Sequence, residues 1–124
     1  MTVIPLGQTS LIGRTSADFA QELVRYSDDA GTVAFNITGY SFKFTVRENA
    51  NGAVIYEATV GDGIVVTNAA QGRLEVQITA AELETVFGPL GDFRGEWELQ
   101  ATSPGGAKES WAMGAFLMYR GVAR

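Results

Sequence analysis

The chain of 124 residues contains no cysteine and no histidine. Their absence excludes disulfides, thiolate nucleophiles and imidazole general bases, and it removes the usual ligands of structural zinc. The sequence also lacks a G-x-S-x-G motif, and no histidine is available to activate a serine. We therefore expect that the protein is not an enzyme and has no catalytic, cofactor-binding or metal-binding residues.

Basic residues are few as well. The chain has two lysines, Lys43 and Lys108, and a formal net charge of −5. A surface of this sign repels phosphate groups, so we expect neither nucleic acid nor a membrane as a partner. No apolar run is long enough to span a bilayer, and the start, MTVIPLGQTSLIG, lacks the basic and apolar regions of a secretory signal.

What the sequence does contain is a repeated alternation of apolar and polar residues between glycine-rich turns. This pattern predicts short antiparallel strands that each have one buried and one solvated face. The clearest strands are residues 41–47, 73–79 and 96–102, and residues 19–26, 54–59 and 64–67 are further candidates. The residues that share the inward phase form the predicted core: Phe42, Phe44, Val46, Leu74, Val76, Ile78, Trp97 and Leu99.

One helix is predicted after the strand at residues 73–79. Thr79-Ala80-Ala81-Glu82 is a capping-box pattern, with Thr79 as the N-cap, and Gly88-Pro89 ends the helix. Tight turns are predicted at residues 28–31 and at Asn51-Gly52. The fold class is therefore all-β, an antiparallel β-sandwich of about seven strands with one short helix.

The two ends of the chain depart from this pattern. Residues 1–17 carry a single charge, Arg14, and no clean alternation, so we predict an N-terminal arm that docks on another subunit, followed by a β-sandwich domain at residues 18–124. Residues 111–119 are apolar on both strand faces: one is predicted to carry Trp111, Met113, Leu117 and Tyr119, and the other Ala112, Gly114, Phe116 and Met118. In so small a sandwich one face should be wet, and we expect it to be the face of Phe116 and Met118. We therefore predict an assembly interface here, formed by Trp111, Met113, Phe116, Met118 and Tyr119.

Other candidate sites have simpler explanations. The acidic pair Asp28-Asp29 is typical of a turn, and Glu96 and Glu98 are predicted on a solvated strand face. Asn49, Asn51 and Asp62 could offer oxygen ligands to calcium, but their spacing matches no EF-hand loop. Trp111 and Tyr119 could instead form a platform on which a sugar stacks.

Three segments together carry a resemblance to a known family. They are NITGYSFKFTVR at residues 36–47, GAVIYEAT at residues 52–59 and GRLEVQITAAE at residues 72–82. In this order and spacing they resemble a module of tailed phages, the N-terminal immunoglobulin-like domain of upper baseplate proteins and of small stand-alone tail proteins. The resemblance covers roughly residues 18–119, and residues 85–94 are longer than the corresponding turn of the family.

The resemblance implies an immunoglobulin-like sandwich that serves as a virion structural protein, without catalytic residues. Its expected partners are other virion structural proteins and further copies of itself. Because the chain ends at Arg124, we expect a small connector or adaptor of the tail or baseplate. Two alternatives stay open at this point: a decoration or cement protein of the capsid, and a carbohydrate-binding module for host attachment.

Overall fold

The secondary structure is almost entirely β. The computed structural model describes residues 4–5, 10–27, 33–49 and 52–119, with the backbone alone at residues 4–5. Within these residues there are nine strands: β1 (Ile4–Pro5), β2 (Leu11–Arg14), β3 (Phe19–Val24), β4 (Ser41–Arg47), β5 (Val54–Val60), β6 (Gly63–Asn68), β7 (Arg73–Ile78), β8 (Phe93–Thr102) and β9 (Lys108–Tyr119). One α-helix, α1 (Ala80–Val86), and two 3-10 turns, Ala69–Gln71 and Gly88–Leu90, complete the described elements.

The predicted strands are found where alternation is strict. β4 has the predicted bounds, and the strands predicted at residues 73–79 and 96–102 correspond to β7 and to the greater part of β8. All eight predicted core residues are buried, because their shared phase directs them into one cluster. The predicted turn at residues 28–31 lies outside the described residues, as does Asn51 of the predicted Asn51-Gly52 turn.

The helix begins as predicted. The Thr79 hydroxyl accepts a hydrogen bond from the backbone N–H of Glu82 at 3.2 Å. A second acceptor, not anticipated from the sequence, is Asp18, whose carboxylate oxygen lies 2.7 Å from the backbone nitrogen of Ala80. Two side chains therefore satisfy free N–H groups of the first turn, and Asp18 ties the helix to the start of β3.

The strands form one hydrogen-bonded sheet in the order β1-β3-β7-β6-β5-β4-β8-β9-β2, which curls until it is nearly closed into a barrel. The all-β class with one short helix is confirmed. The sheet has more strands than the seven expected, and its pairing is not purely antiparallel, because β1 with β3, β2 with β9 and β5 with β6 pair in parallel.

The short β5–β6 ladder joins the two halves of the sheet. Gly61 and Gly63, with φ of +88° and +97°, turn the chain so sharply that Thr59 pairs with Gly63. Side chains rarely adopt such φ values, which glycine tolerates. The halves then face each other across the core, as Phe19 of β3 and Phe116 of β9 show with ring centres 5.8 Å apart.

The predicted arm is corrected in its described part. β1 pairs with β3 and β2 pairs with β9 of the same chain, while Leu11 and Thr15 are buried. This described part is held by its own domain, because β2 covers the edge of β9 that would otherwise be free. No alternation signalled this, since β2 is only four residues long.

Candidate assembly surface

A β-bulge sets the orientation of every side chain in β9. Leu99 of β8 pairs with Ala112 and Gln100 pairs with Ser110, so Trp111 is an extra residue between them. A bulge lets two consecutive residues point to the same side of the sheet. Trp111 and Ala112 are accordingly both buried, and from Ala112 onward the even-numbered residues face the core.

Phe116 and Met118 therefore lie in the chain's own core, and the expectation that they occupy the wet face is wrong. Phe116 has no exposed surface, and its ring contacts those of Phe19, Phe44 and Phe87. The S-methyl group of Met118 lies against Gly13, where an added Cβ would be 2.8 Å from it. The cover on this face includes Phe19, in the other half of the curled sheet, and Phe87, at the end of α1, and the local sequence reveals neither contact.

The other three predicted interface residues have different surroundings. Trp111 is buried by its own chain, Tyr119 is half-buried, and Met113 is exposed to 46% of its surface. The Arg14 guanidinium lies 5.6 Å from the centre of the Tyr119 ring, and the backbone N–H of Thr15 donates to the Tyr119 carbonyl. Of the five residues, Met113 alone offers a large apolar side chain freely to solvent.

Met113 belongs to a surface that we call the β9 outer face. It consists of the outward residues of β9 and of its two neighbouring strands: Ile12, Arg14, Arg94, Glu96, Glu98, Met113, Ala115, Leu117 and Tyr119. Its centre is an apolar stripe, because Ile12 pairs in register with Leu117 and is exposed to 60%. Charged residues of β8 border the stripe, since Arg94, Glu96 and Glu98 stand beside Leu117, Ala115 and Met113 respectively.

Two shallow depressions mark the β9 outer face and the strands beside it. The first, of about 280 Å³, extends over β4 and β5 and is lined by Lys43, Thr45, Arg47, Asn49, Glu57, Glu96, Trp97, Glu98, Gln100 and Met113. The second, of about 220 Å³, is lined by Arg94, Gly95, Glu96, Trp97, Met113, Gly114 and Ala115. They adjoin at Glu96, Trp97 and Met113, and the small side chain of Ala115 leaves the second depression open.

Sequence reasoning found part of this surface. It predicts Met113 and Leu117 on a common face of β9 and Glu96 and Glu98 on the solvated face of β8, but it missed Ile12 and Arg94. The signal for Arg94 was available, because it continues the outward phase of Glu96 and Glu98. Ile12 had no comparable signal, since its position follows from the pairing of β2 with β9.

Trp111 is the centre of an aromatic cluster at one end of the domain. Its ring lies 5.6 Å from Phe35, 5.1 Å from Tyr40 and 5.6 Å from Phe42, measured between ring centres. The Arg25 guanidinium covers the cluster at 4.4 Å from the centre of the Trp111 ring. With the ring covered on several sides by its own chain, Trp111 does not present a face on which a sugar could stack.

Tyr56 of β5 has a perturbed acidity. Burial, with smaller contributions from the carboxylates of Glu82 and Asp62, raises the pKa of its hydroxyl from 10.0 to about 12. The ring is near that of Phe87, with centres 6.5 Å apart, under the end of α1. The neutral phenol is the form that this partly buried position favours.

The acidic residues that the sequence offered as candidates for catalysis or metal binding do not lie together in one site. Glu96 and Glu98 are exposed on β8, as predicted, while Asp62 lies in the β5–β6 turn, where its carbonyl accepts from Thr59 N–H at 3.0 Å. Among the described residues there is no group of three or more acidic side chains that could hold a metal ion. Asp28 and Asp29 fall outside those residues. No described helix is both long and apolar enough to cross a bilayer.

Comparison with known proteins gives a structural likeness. No protein-family model and no curated protein matches the sequence. The fold is similar to that of the N-terminal domain of phage TP901-1 ORF48, with a TM-score of 0.53 and 17% identity over 96% of this chain and 99% of that one. Extracellular domains 3–5 of Drosophila OTK align with a TM-score of 0.35 and 14% identity, over 94% of this chain and 32% of that one, too low a score to support an argument. This chain therefore shares a fold with a phage protein domain along nearly its whole length.

Proposed function

We propose that this chain is a structural protein of a tailed-phage particle, a connector or adaptor of the tail or baseplate that works through protein–protein contacts. The observation that carries the proposal is the likeness to the N-terminal domain of phage TP901-1 ORF48, which spans both chains almost completely. The order of the segments at residues 36–47, 52–59 and 72–82, which resembles the phage module, supports it independently of the fold.

The chemistry of the surface supports a role in assembly rather than in catalysis. The β9 outer face exposes apolar side chains in a continuous stripe bordered by charges of both signs. Contiguous apolar surface with a polar rim is typical of protein–protein contacts. We propose that the partners are other virion proteins and further copies of the chain, and that no enzymatic activity is involved.

The two alternatives differ in what supports them. The carbohydrate-binding alternative depended on Trp111 and Tyr119 as an exposed platform, but Trp111 is buried and Tyr119 is half-buried. The depression that reaches over β4 has one aromatic lining residue, Trp97, and its side chain is also buried. The decoration role differs from the tail role in where the protein lies on the particle, and the experiment below distinguishes the two locations.

The test is mass spectrometry of particles purified from the phage or induced prophage whose genome encodes this chain. Tails and capsids are separated on a density gradient before digestion. We expect peptides of this protein in the tail fraction at several copies per particle. Purified protein added to finished particles controls for adventitious adsorption. Recovery with capsids alone would favour the decoration role, and absence from both fractions would contradict the proposal.

A further inference from the structure

We propose that the β9 outer face packs against the same face of a second copy, about a two-fold axis that crosses the strands through Ala115 and Glu96. This inference rests on the proposed assembly role and names the surface and the partner. A two-fold contact is isologous, so the surface must be complementary to itself. The arrangement of charged and apolar residues around Ala115 meets that requirement.

The outward side chains of β8 carry opposite charges on the two sides of this axis. Arg94 and Glu98 lie two residues to either side of Glu96, and all three are exposed. Rotation about the axis exchanges the two sides, so Arg94 faces the partner's Glu98 and Glu98 faces the partner's Arg94. Two oppositely charged pairs form at once, and such complementarity fixes the register of an interface and excludes others.

The apolar stripe is complementary about the same axis. Met113 and Leu117 flank Ala115 on β9, beside Glu98 and Arg94 respectively. Rotation places Met113 against the partner's Leu117 on each side of the axis. Ala115, on the axis, is small enough to let the two sheets approach to about 10 Å, the usual spacing of packed sheets. The depression of about 220 Å³ beside it leaves space for an apolar side chain of the partner.

Glu96 lies on the axis and would face its own copy. It is paired in register with Arg47 of β4, which is also exposed. The Arg47 guanidinium donates to the Gly52 carbonyl at 2.9 Å, and Arg47 would likewise face its own copy. The two acidic and two basic side chains at this point sum to zero charge, which offsets the repulsion between like copies.

The contact involves three strands, which places it at the low end of the area range of specific interfaces. Contacts of this size, below about 1,200 Å² in total, are typical of weak association. We expect a dissociation constant on the order of 10 to 100 μM for the isolated protein. Repetition of the contact in a multivalent particle would strengthen it by avidity.

The experiment is a charge swap measured by sedimentation velocity from about 10 μM to 1 mM. Both Arg94→Glu and Glu98→Arg should weaken self-association about tenfold or more, because each places like charges opposite one another. An equimolar mixture of the two variants should associate as the wild type does, since every facing pair is again of opposite sign. The double variant R94E/E98R should also be restored.

Two features make the outcome specific. Glu98→Arg lowers the magnitude of the negative net charge, so general repulsion alone would strengthen association where the proposal predicts weakening. Within one chain, positions 94 and 98 are about 13 Å apart along the strand. At ordinary salt this distance is too long for an attraction between the two residues of the same chain to restore association in the double variant. Glu75→Arg on β7, in the other half of the sheet, is the matched control and should leave association unchanged.

A wild-type protein that stays monomeric at 1 mM would overturn the inference. Single variants that associate normally, or a mixture that does not recover, would overturn it as well. The tail-fraction measurement above is independent of these results. If the protein is recovered from tails but its variants do not show the charge-swap pattern, the proposed function holds and this interface is wrong. If the variants show the charge-swap pattern but the protein is absent from particles, the interface holds and the virion role is wrong.

Discussion

The guanidinium carbon of Arg25 lies 4.4 Å from the centre of the Trp111 ring and 4.7 Å from that of Phe35, so the cation contacts both aromatic rings. The backbone of Arg25 is fixed at the same place, because its N–H donates to Gly72 and its carbonyl accepts from Phe35. Arg25 follows β3, and Trp111 is the bulged residue of β9. This contact therefore joins the two halves of the sheet.

The contact predicts a measurable contribution to stability. Arg25→Ala should lower the free energy of unfolding by about 1–2 kcal/mol, because cation–π contacts of partly desolvated guanidinium groups and the packing of the aliphatic stem are lost. Urea denaturation followed by tryptophan fluorescence measures it. Lys108→Ala, at an exposed position of β9, is the control and should change stability by less than about 0.5 kcal/mol. Equal effects of the two substitutions would contradict the role of Arg25.

The corrected orientation of β9 predicts opposite outcomes at two positions three residues apart. Phe116→Asp should abolish folding, because it removes a fully buried ring and leaves an unpaired charge among aromatic side chains. Met113→Asp should change the free energy of unfolding by less than about 1 kcal/mol, since the side chain is solvent-exposed. Circular dichroism and urea denaturation distinguish the two. A folded Phe116→Asp protein would mean that the bulge does not direct the even-numbered residues of β9 into the core.

A second pair of neighbours tests the place of β2 in the sheet. Leu11→Ala should cost about 2–5 kcal/mol, as for a buried leucine, whereas Ile12→Ala should cost less than about 1 kcal/mol. Removal of residues 1–17 should likewise destabilise the domain, because it uncovers the β9 edge. A truncated protein as stable as the full chain would restore the hypothesis of a dispensable arm.

Tyr56 predicts a component of stability that depends on pH. Its pKa is about 12 in the folded protein against 10.0 for the ordinary phenol, mainly because of burial and then because of Glu82 and Asp62. A group whose pKa is raised by folding stabilises the protein fully below the unfolded value and loses that contribution as the pH rises through the folded value. Stability should therefore fall between about pH 10 and pH 12, and the fall should be shallower in Tyr56→Phe.

Absorbance at 295 nm provides the direct measurement for Tyr56. In the wild type, one of the four tyrosines should ionise about two pH units later than the ordinary phenol, and this late phase should be missing in Tyr56→Phe. Tyr119→Phe serves as the comparison variant and should retain it. A single common transition for all tyrosines would show that Tyr56 is freely solvated.

Part of the candidate surface could be predicted from local sequence and part could not. Met113 and Leu117 were placed on one face by period-2 alternation, which holds in an unbroken strand. The same reasoning failed for Phe116 and Met118, because a strand that is apolar on both faces carries no information on which face is inside. Arg94 and Glu98 acquire meaning only once the register of β8 against β9 is known.

Local sequence was enough to predict the strands with strict alternation, their inward residues and the helix start at Thr79. These features depend on neighbours a few residues apart, whose geometry the chain fixes locally. The bulge at Trp111, the parallel pairing of β2 with β9 and the near closure of the sheet depend on the whole fold. Each of these joins residues distant in sequence, and their pairing is selected by how well whole strands bury their apolar faces rather than by any local pattern.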